Sequence, residues 1–354
     1  MTELPSLLPM IFIVTLAVYA VVLLITGLYT RKWSKDVKGF ALGGRWMSAI
    51  IWGFASFTTW FSISSWMGVP AIQYSWGMSM FIHNATFPII VATLATLLFG
   101  RRLRKQADRL GALSITDYVA FRYGNSRLFR ILAIVGIFSI CVAFTISQFK
   151  GLGTLMSYIF NVPLWVGVLV GAVIILIYLP IGGMAGATLS DFYEGIIKLL
   201  SVLIVLPAAI IAVGGFTGLF DKLNAIDPGL TEPLYGWFTP LNLVSFPVYY
   251  FIIYLAHPYV SRMYLALKSD SWREFFKFNL AFIVGCSLGT VLGLLGNIGR
   301  AMNIKVTPPF GADMIGVEVV ARVTAPVFFV IYAIGITMAA TSTSEDWLHT
   351  TAVG

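Results

Sequence analysis

Apolar runs separated by short polar connections set the pattern of this chain. With a window of about 20 residues, nine runs fall near residues 7–29, 46–68, 78–100, 128–159, 163–181, 186–214, 241–261, 275–299 and 323–344. In lipid a backbone has no water to bond and must satisfy its own hydrogen bonds, so each run is predicted to be a membrane-crossing helix. The fold class that follows is an all-α polytopic membrane protein. Composition agrees: hydrophobic residues make up 58% and charged residues 11%, with a mean hydropathy of +0.89, where a soluble domain carries roughly a quarter charged residues. The first run is too long for the apolar part of a cleavable leader and has no basic segment before it, so it reads as a retained span. Cys141 and Cys286 lie inside apolar runs without metal-type spacing and read as packing thiols.

The connections sort by charge. Loops 30–45, 100–130 and 262–277 hold 17 of the 23 Lys and Arg residues. Alternation from an outside N-terminus puts all three on one side, and the positive-inside rule makes that side the cytoplasm. The expected placement is therefore the plasma (inner) membrane with the N-terminus outside. The formal charge of +8 is then a topology signal, and no nucleic-acid partner is read from it. There is no glycine-rich phosphate loop after a strand, no metal cluster and no nucleophile–base pair, so neither an enzyme, a cofactor nor a transition metal is expected. His83, His257 and His349 are isolated and read as interface or packing residues.

Two runs depart from plain apolarity. The stretch "GFASFTTWFSISSWMGVP", Gly53 to Pro70, spreads Thr58, Thr59, Ser62, Ser64 and Ser65 over every helical face. A β-branched pair at mid-membrane is a weak place for a helix. Either the small hydroxyl residues pack helices closely, or the helix is interrupted and its freed carbonyls coordinate an ion. The last run ends "GITMAATSTSEDWLHTTAVG", Gly335 to Gly354, with four consecutive hydroxyl residues followed by Glu345 and Asp346.

Five stretches, taken together, carry a resemblance. "GFALGGRWMS" (Gly39–Ser48), "SITDYVAFRYGNSRLFR" (Ser114–Arg130), "GGMAGATLSDFYEG" (Gly182–Gly195), "HPYVSRMYLALKS" (His257–Ser269) and "AATSTSEDWL" (Ala339–Leu348) are similar, in order and each at the expected span, to motifs of the solute:sodium symporter family. That family includes the sodium/proline and sodium/galactose symporters. The resemblance implies an inverted-repeat five-plus-five helix transporter fold preceded by one extra helix. Residues 1–45 would hold the extra N-terminal helix and a cytoplasmic loop, and 46–214 the first repeat. Residues 215–240 would form an extracellular loop, and 241–354 a partial second repeat of three helices, C-terminally truncated relative to the family.

The resemblance also implies a site. Sodium would bind between the broken first core helix and the eighth, on the hydroxyls of Ser342 and Thr343 and the carbonyls of Thr58, Phe61 and Ala339. A small hard cation wants several oxygens, and mid-membrane only hydroxyls and unwound backbone supply them without charge. Helix–helix hydrogen bonding is the other reading of Ser342 and Thr343. Asp191 lies either on an ion exit route or at a helix cap. The candidate solute pocket is Trp60, Ser65, Gln148, Lys150, Tyr250 and Tyr254, with Lys150 either receiving a substrate carboxylate or snorkelling to the outer headgroups. The chain departs from the family pattern at Trp60, where the sodium/proline branch has an aspartate, and at Glu194, which replaces a glutamine. Glu194 stands four residues before Lys198, in register for an ion pair. In the family the Arg262 position is offset by one.

The expected function is Na⁺-coupled symport of a small organic solute (amino acid, carboxylate or sugar) by alternating access, with Na⁺, the solute and membrane lipid as partners. A sensor module of a membrane histidine kinase and a sodium-independent carrier on the same scaffold are the alternatives.

Overall fold

Interruptions in the helices, more than the helices themselves, shape this bundle. The computed structural model describes residue 5 and residues 7–86, 92–306 and 310–354, without the side chains of residues 82, 83, 85, 86 and 256. The expectation for His83 therefore lies outside the described residues. The first run is α1, Leu8–Thr30, with a proline in its opening turn, where a missing N–H costs little.

The second run is not one helix. α2, Ala49–Trp60, starts on Ser48, whose hydroxyl accepts from the Ile51 N–H at 3.4 Å. It stops at Phe61 (φ −80°, ψ 63°), and the chain resumes through a wide turn, Ser64–Gly68, into α3, Val69–Trp76. No proline or glycine forces this break. Side chains meet its freed groups instead: Gln148 accepts from the Ile63 N–H at 3.0 Å and Ser62 Oγ from the Ser64 N–H at 3.3 Å. The third run is helical at Ser79–Thr86 and again from Thr93 to Gly100, while its middle, residues 87–91, lies outside the described residues.

α4, Arg127–Phe160, follows, then α5, Leu164–Ala212. α5 joins the two spans expected at 163–181 and 186–214 and bends at Gly183 (φ 53°, ψ −150°), backbone that only glycine adopts readily. Ser34 Oγ donates to the Gly182 carbonyl at 2.6 Å, satisfying an acceptor the bend exposes. The stretch expected as an extracellular loop begins with a helix, Gly215–Ile226.

The run expected at 241–261 is two half-helices, α6, Pro240–Ala256, and α7, Pro258–Ala266, bent by 52°. A residue before proline avoids the helical region, so His257 is extended (φ −68°, ψ 115°), and Pro258 then starts the next helix. α7 is buried along its whole length. It takes Arg262 out of the basic loop to which the charge count assigned it.

α8, Trp272–Thr290, is continued by α9, Leu294–Ala301, and α10 spans Pro326–Val353. Both repeats foreseen in the sequence thus open on an interrupted helix. α2 packs on α8 and α3 on α9. The α2–α8 approach needs glycine: a Cβ on Gly53 would collide with the Phe278 carbonyl, and one on Gly285 with the Phe57 ring. α10 lies against α5, α4, α1 and α2, and 83% of its most apolar window is buried against 22% for α1. The two helices therefore face different solvents. α10 is the central helix, so its hydroxyls and acids meet protein rather than acyl chains. It also runs on past its expected end at 344 and carries Glu345 and Asp346 inside it.

Candidate functional site

The end of α2 meets the middle of α10. Thr343 Oγ1 donates to the Thr59 carbonyl at 2.8 Å, and Ser342 Oγ lies 3.5 Å from the Ala339 carbonyl. Thr58 ties its own hydroxyl to the Phe54 carbonyl at 3.0 Å. The Thr58 carbonyl and Ser342 Oγ both accept from the Lys198 ammonium, at 3.0 and 2.7 Å. Phe61 is itself the break, its ring packed between Phe57 and Trp66. The five residues proposed for an ion therefore lie on the two converging elements. The uncharged oxygen set suits a hard cation. Two of those oxygens, however, are engaged by a side chain of the protein.

A buried polar seam extends from this point along α5 and α10. Asp346 accepts from Arg262 Nη2 at 2.6 Å and also from the Thr59 hydroxyl. Arg262 touches His349, whose other ring nitrogen meets the Phe40 carbonyl at 2.9 Å. Asp191 Oδ2 lies 3.5 Å from the same Thr59 Oγ1. Glu194 accepts from Tyr19 Oη at 2.9 Å, and Glu345 from Ser190 Oγ at 2.9 Å. One oxygen on each of Asp191, Glu194 and Glu345 has no hydrogen-bond partner.

Two expectations are corrected here. Lys198 reaches across to α2 and α10, and no ion pair to Glu194 occurs among the described residues. Asp191 is buried within α5 beyond the bend and caps no helix end.

Beside the break, α2, α4, α6 and α8 border an open cavity of about 570 Å³ lined in part by Trp60, Phe61, Ser62, Ser65, Tyr250 and His257. Of the solute-pocket candidates, Trp60, Ser65 and Tyr250 line it. Tyr254 stands behind, its ring 5.8 Å from that of Trp60. Gln148 does not face the cavity; its side chain is spent on the Ile63 N–H and on Ser147. Lys150 is exposed on the outer side of α4 and absent from the lining, which overturns its assignment to a substrate carboxylate and leaves the snorkelling reading. Sequence reasoning missed Ser62 and His257 as lining residues, and Lys198, Arg262, Asp346 and Tyr19 as members of one network. The available signal was Lys198 standing inside the apolar run 186–214, since a charge within the membrane marks function by default.

The family model for "Sodium:solute symporter family" matches residues 40–342. The chain belongs to the sodium:solute symporter family. The sodium/pantothenate symporter of Escherichia coli (strain K12) is 25% identical over 325 residues, 85% of this chain and 66% of that protein. The osmoregulated proline transporter of Bacillus subtilis (strain 168) is 25% identical over 292 residues, 80% of this chain and 58% of that protein. The chain thus spans just under two thirds of the first relative and less of the second. A solved structure of a Na⁺-coupled sialic acid symporter, substrate-bound and outward-open, matches with a TM-score of 0.77 at 18% identity, over 97% of this chain and 73% of that one. This symporter-family chain accordingly has an all-helical fold of the inverted-repeat five-plus-five type, with the second repeat partial, and it is a multi-pass membrane protein whose relatives are transporters.

Proposed function

We propose that this chain forms the core of a secondary active transporter that symports a small organic solute with Na⁺ by alternating access, in the plasma membrane with its N-terminus outside. The observation that carries the reading is the junction at the end of α2, where the Thr59 carbonyl, just before the break at Phe61, accepts from the Thr343 hydroxyl of α10, beside a cavity that Phe61 and Ser62 help to line. An ion held there would tie α2 to α10 and pre-form the solute pocket, so each ligand would favour the other's binding. One Na⁺ falling through ~100 mV releases about 2.3 kcal/mol, which sustains accumulation of order fifty-fold.

The cavity lining supplies aromatic faces and hydroxyls and, among the described residues, no Lys or Arg. A solute carboxylate would then be met by the lining hydroxyls and by backbone N–H groups in the first turn of the half-helix α7. The solute classes to test are those the family resemblance implies: amino acids, carboxylates and sugars. Uptake of labelled compounds from these three classes into proteoliposomes, using the full gene product containing this chain, tests the reading. It expects at least one to accumulate with an inward Na⁺ gradient and not without it. A sodium-independent carrier is the second reading, favoured by the Lys198 contacts alone; undiminished uptake with choline in place of Na⁺ would select it.

A further inference from the structure

Lys198 is a fully buried cation that family likeness and cavity leave unexplained. Its ammonium donates to the Thr58 carbonyl and Ser342 Oγ, two of the oxygens that the coupling-ion reading gives to Na⁺. Two cations brought within a few ångströms in a dry interior repel strongly, so both cannot use those oxygens at once.

The ammonium also has somewhere else to go. Glu194 lies one turn before Lys198 on α5 and Asp191 two turns before it, on the same helical face. Each keeps one carboxylate oxygen without a hydrogen-bond partner. A flexible four-carbon stem lets the head group move between the two places without moving the helix. Acceptors for a displaced ammonium are at hand. Four buried carboxylates surround the seam (Asp191, Glu194, Glu345 and Asp346), against the two bases Lys198 and Arg262. Arg262 is already committed to Asp346, α1 contributes the Tyr19 hydroxyl, and α2 contributes hydroxyls and carbonyls.

We propose that the Lys198 ammonium and Na⁺ are alternative occupants of one site at the α2–α10 junction, Na⁺ entry displacing the ammonium onto Glu194 and Asp191. The proposal rests on the coupled-symport reading for the identity of the ion. It makes Lys198 a tethered competitor that holds α2 to α10 when the ion is absent and sets how much Na⁺ is needed to load the site.

The test uses Na⁺ alone. The full gene product is purified, and its thermal stabilisation is titrated with NaCl against choline chloride at constant ionic strength. Wild type, Lys198→Met and the double variant Lys198→Met/Ser342→Ala are compared. Lys198→Gln carries the comparison if the methionine variant does not fold. The expected result is a Na⁺ requirement lower by tenfold or more in Lys198→Met, on the order of one charged hydrogen bond removed from competition, with that gain abolished by Ser342→Ala. A wild type without response beside a responding Lys198→Met also supports competition, while removing Na⁺ coupling from the wild-type reading. Equal or weaker Na⁺ response in Lys198→Met, or a gain that survives Ser342→Ala, overturns the proposal and leaves Na⁺ coupling standing. No response in any variant overturns both.

Discussion

At the residue scale, the account turns on side chains that complete or oppose an interrupted backbone. Gln148 is the clearest brace. The family resemblance made it a pocket candidate, but its side chain is spent on the Ile63 N–H. Replacing it with leucine buries that donor unpaired and should cost about 1–3 kcal/mol, measurable as a lowered unfolding temperature, whereas Gln148→Glu keeps the acceptor and should cost less. Lys150 gives the opposite prediction. Exposed on α4 and outside the cavity, it should be replaceable by alanine with solute uptake unchanged, and a large loss of uptake in that variant would put it back in the pocket. What hid both answers in the sequence is direction. Spacing along a helix places a residue at a depth, but which way it faces depends on how neighbouring helices pack.

At the element scale, the breaks were unevenly legible. The α2 interruption was open in the sequence through its hydroxyl residues and β-branched pair, yet nothing local compels it, and one partner that satisfies it, Gln148, comes from α4. The α6–α7 break has a local cause in His257–Pro258 and was still passed over, because hydropathy averages across a bend without registering it. Once that break is present, α7 turns inward and its Arg262 meets Asp346 in the core. Asp346→Ala should therefore destabilise the fold by roughly 3–5 kcal/mol by stranding a buried guanidinium, and adding Arg262→Met should recover most of that loss. Chemical denaturation of the two variants checks this. Equal stability of the single and double variants would mean that the pair is not coupled.

At the scale of the whole molecule, the family motifs and the charge of the loops made the architecture readable before any coordinates. The central place of α10 was not readable from hydropathy, which scores a buried helix and a lipid-facing one alike. Its hydroxyl run was the sign, since four polar positions in succession are tolerated only where protein surrounds them. The predicted orientation can be checked from either side of the membrane: with Cys141 and Cys286 buried, a cysteine replacing Lys222 should react with an impermeant maleimide added outside, and one replacing Lys268 only from inside. The central claim is that α2 and α10 share one ion between them. Its most direct test is the Na⁺ concentration for half-maximal uptake, measured on the full gene product carrying Thr343→Ala or Ser342→Ala. The account predicts that this concentration rises at least tenfold in each variant while uptake at saturating Na⁺ is largely retained. An unchanged Na⁺ requirement in both variants would contradict it.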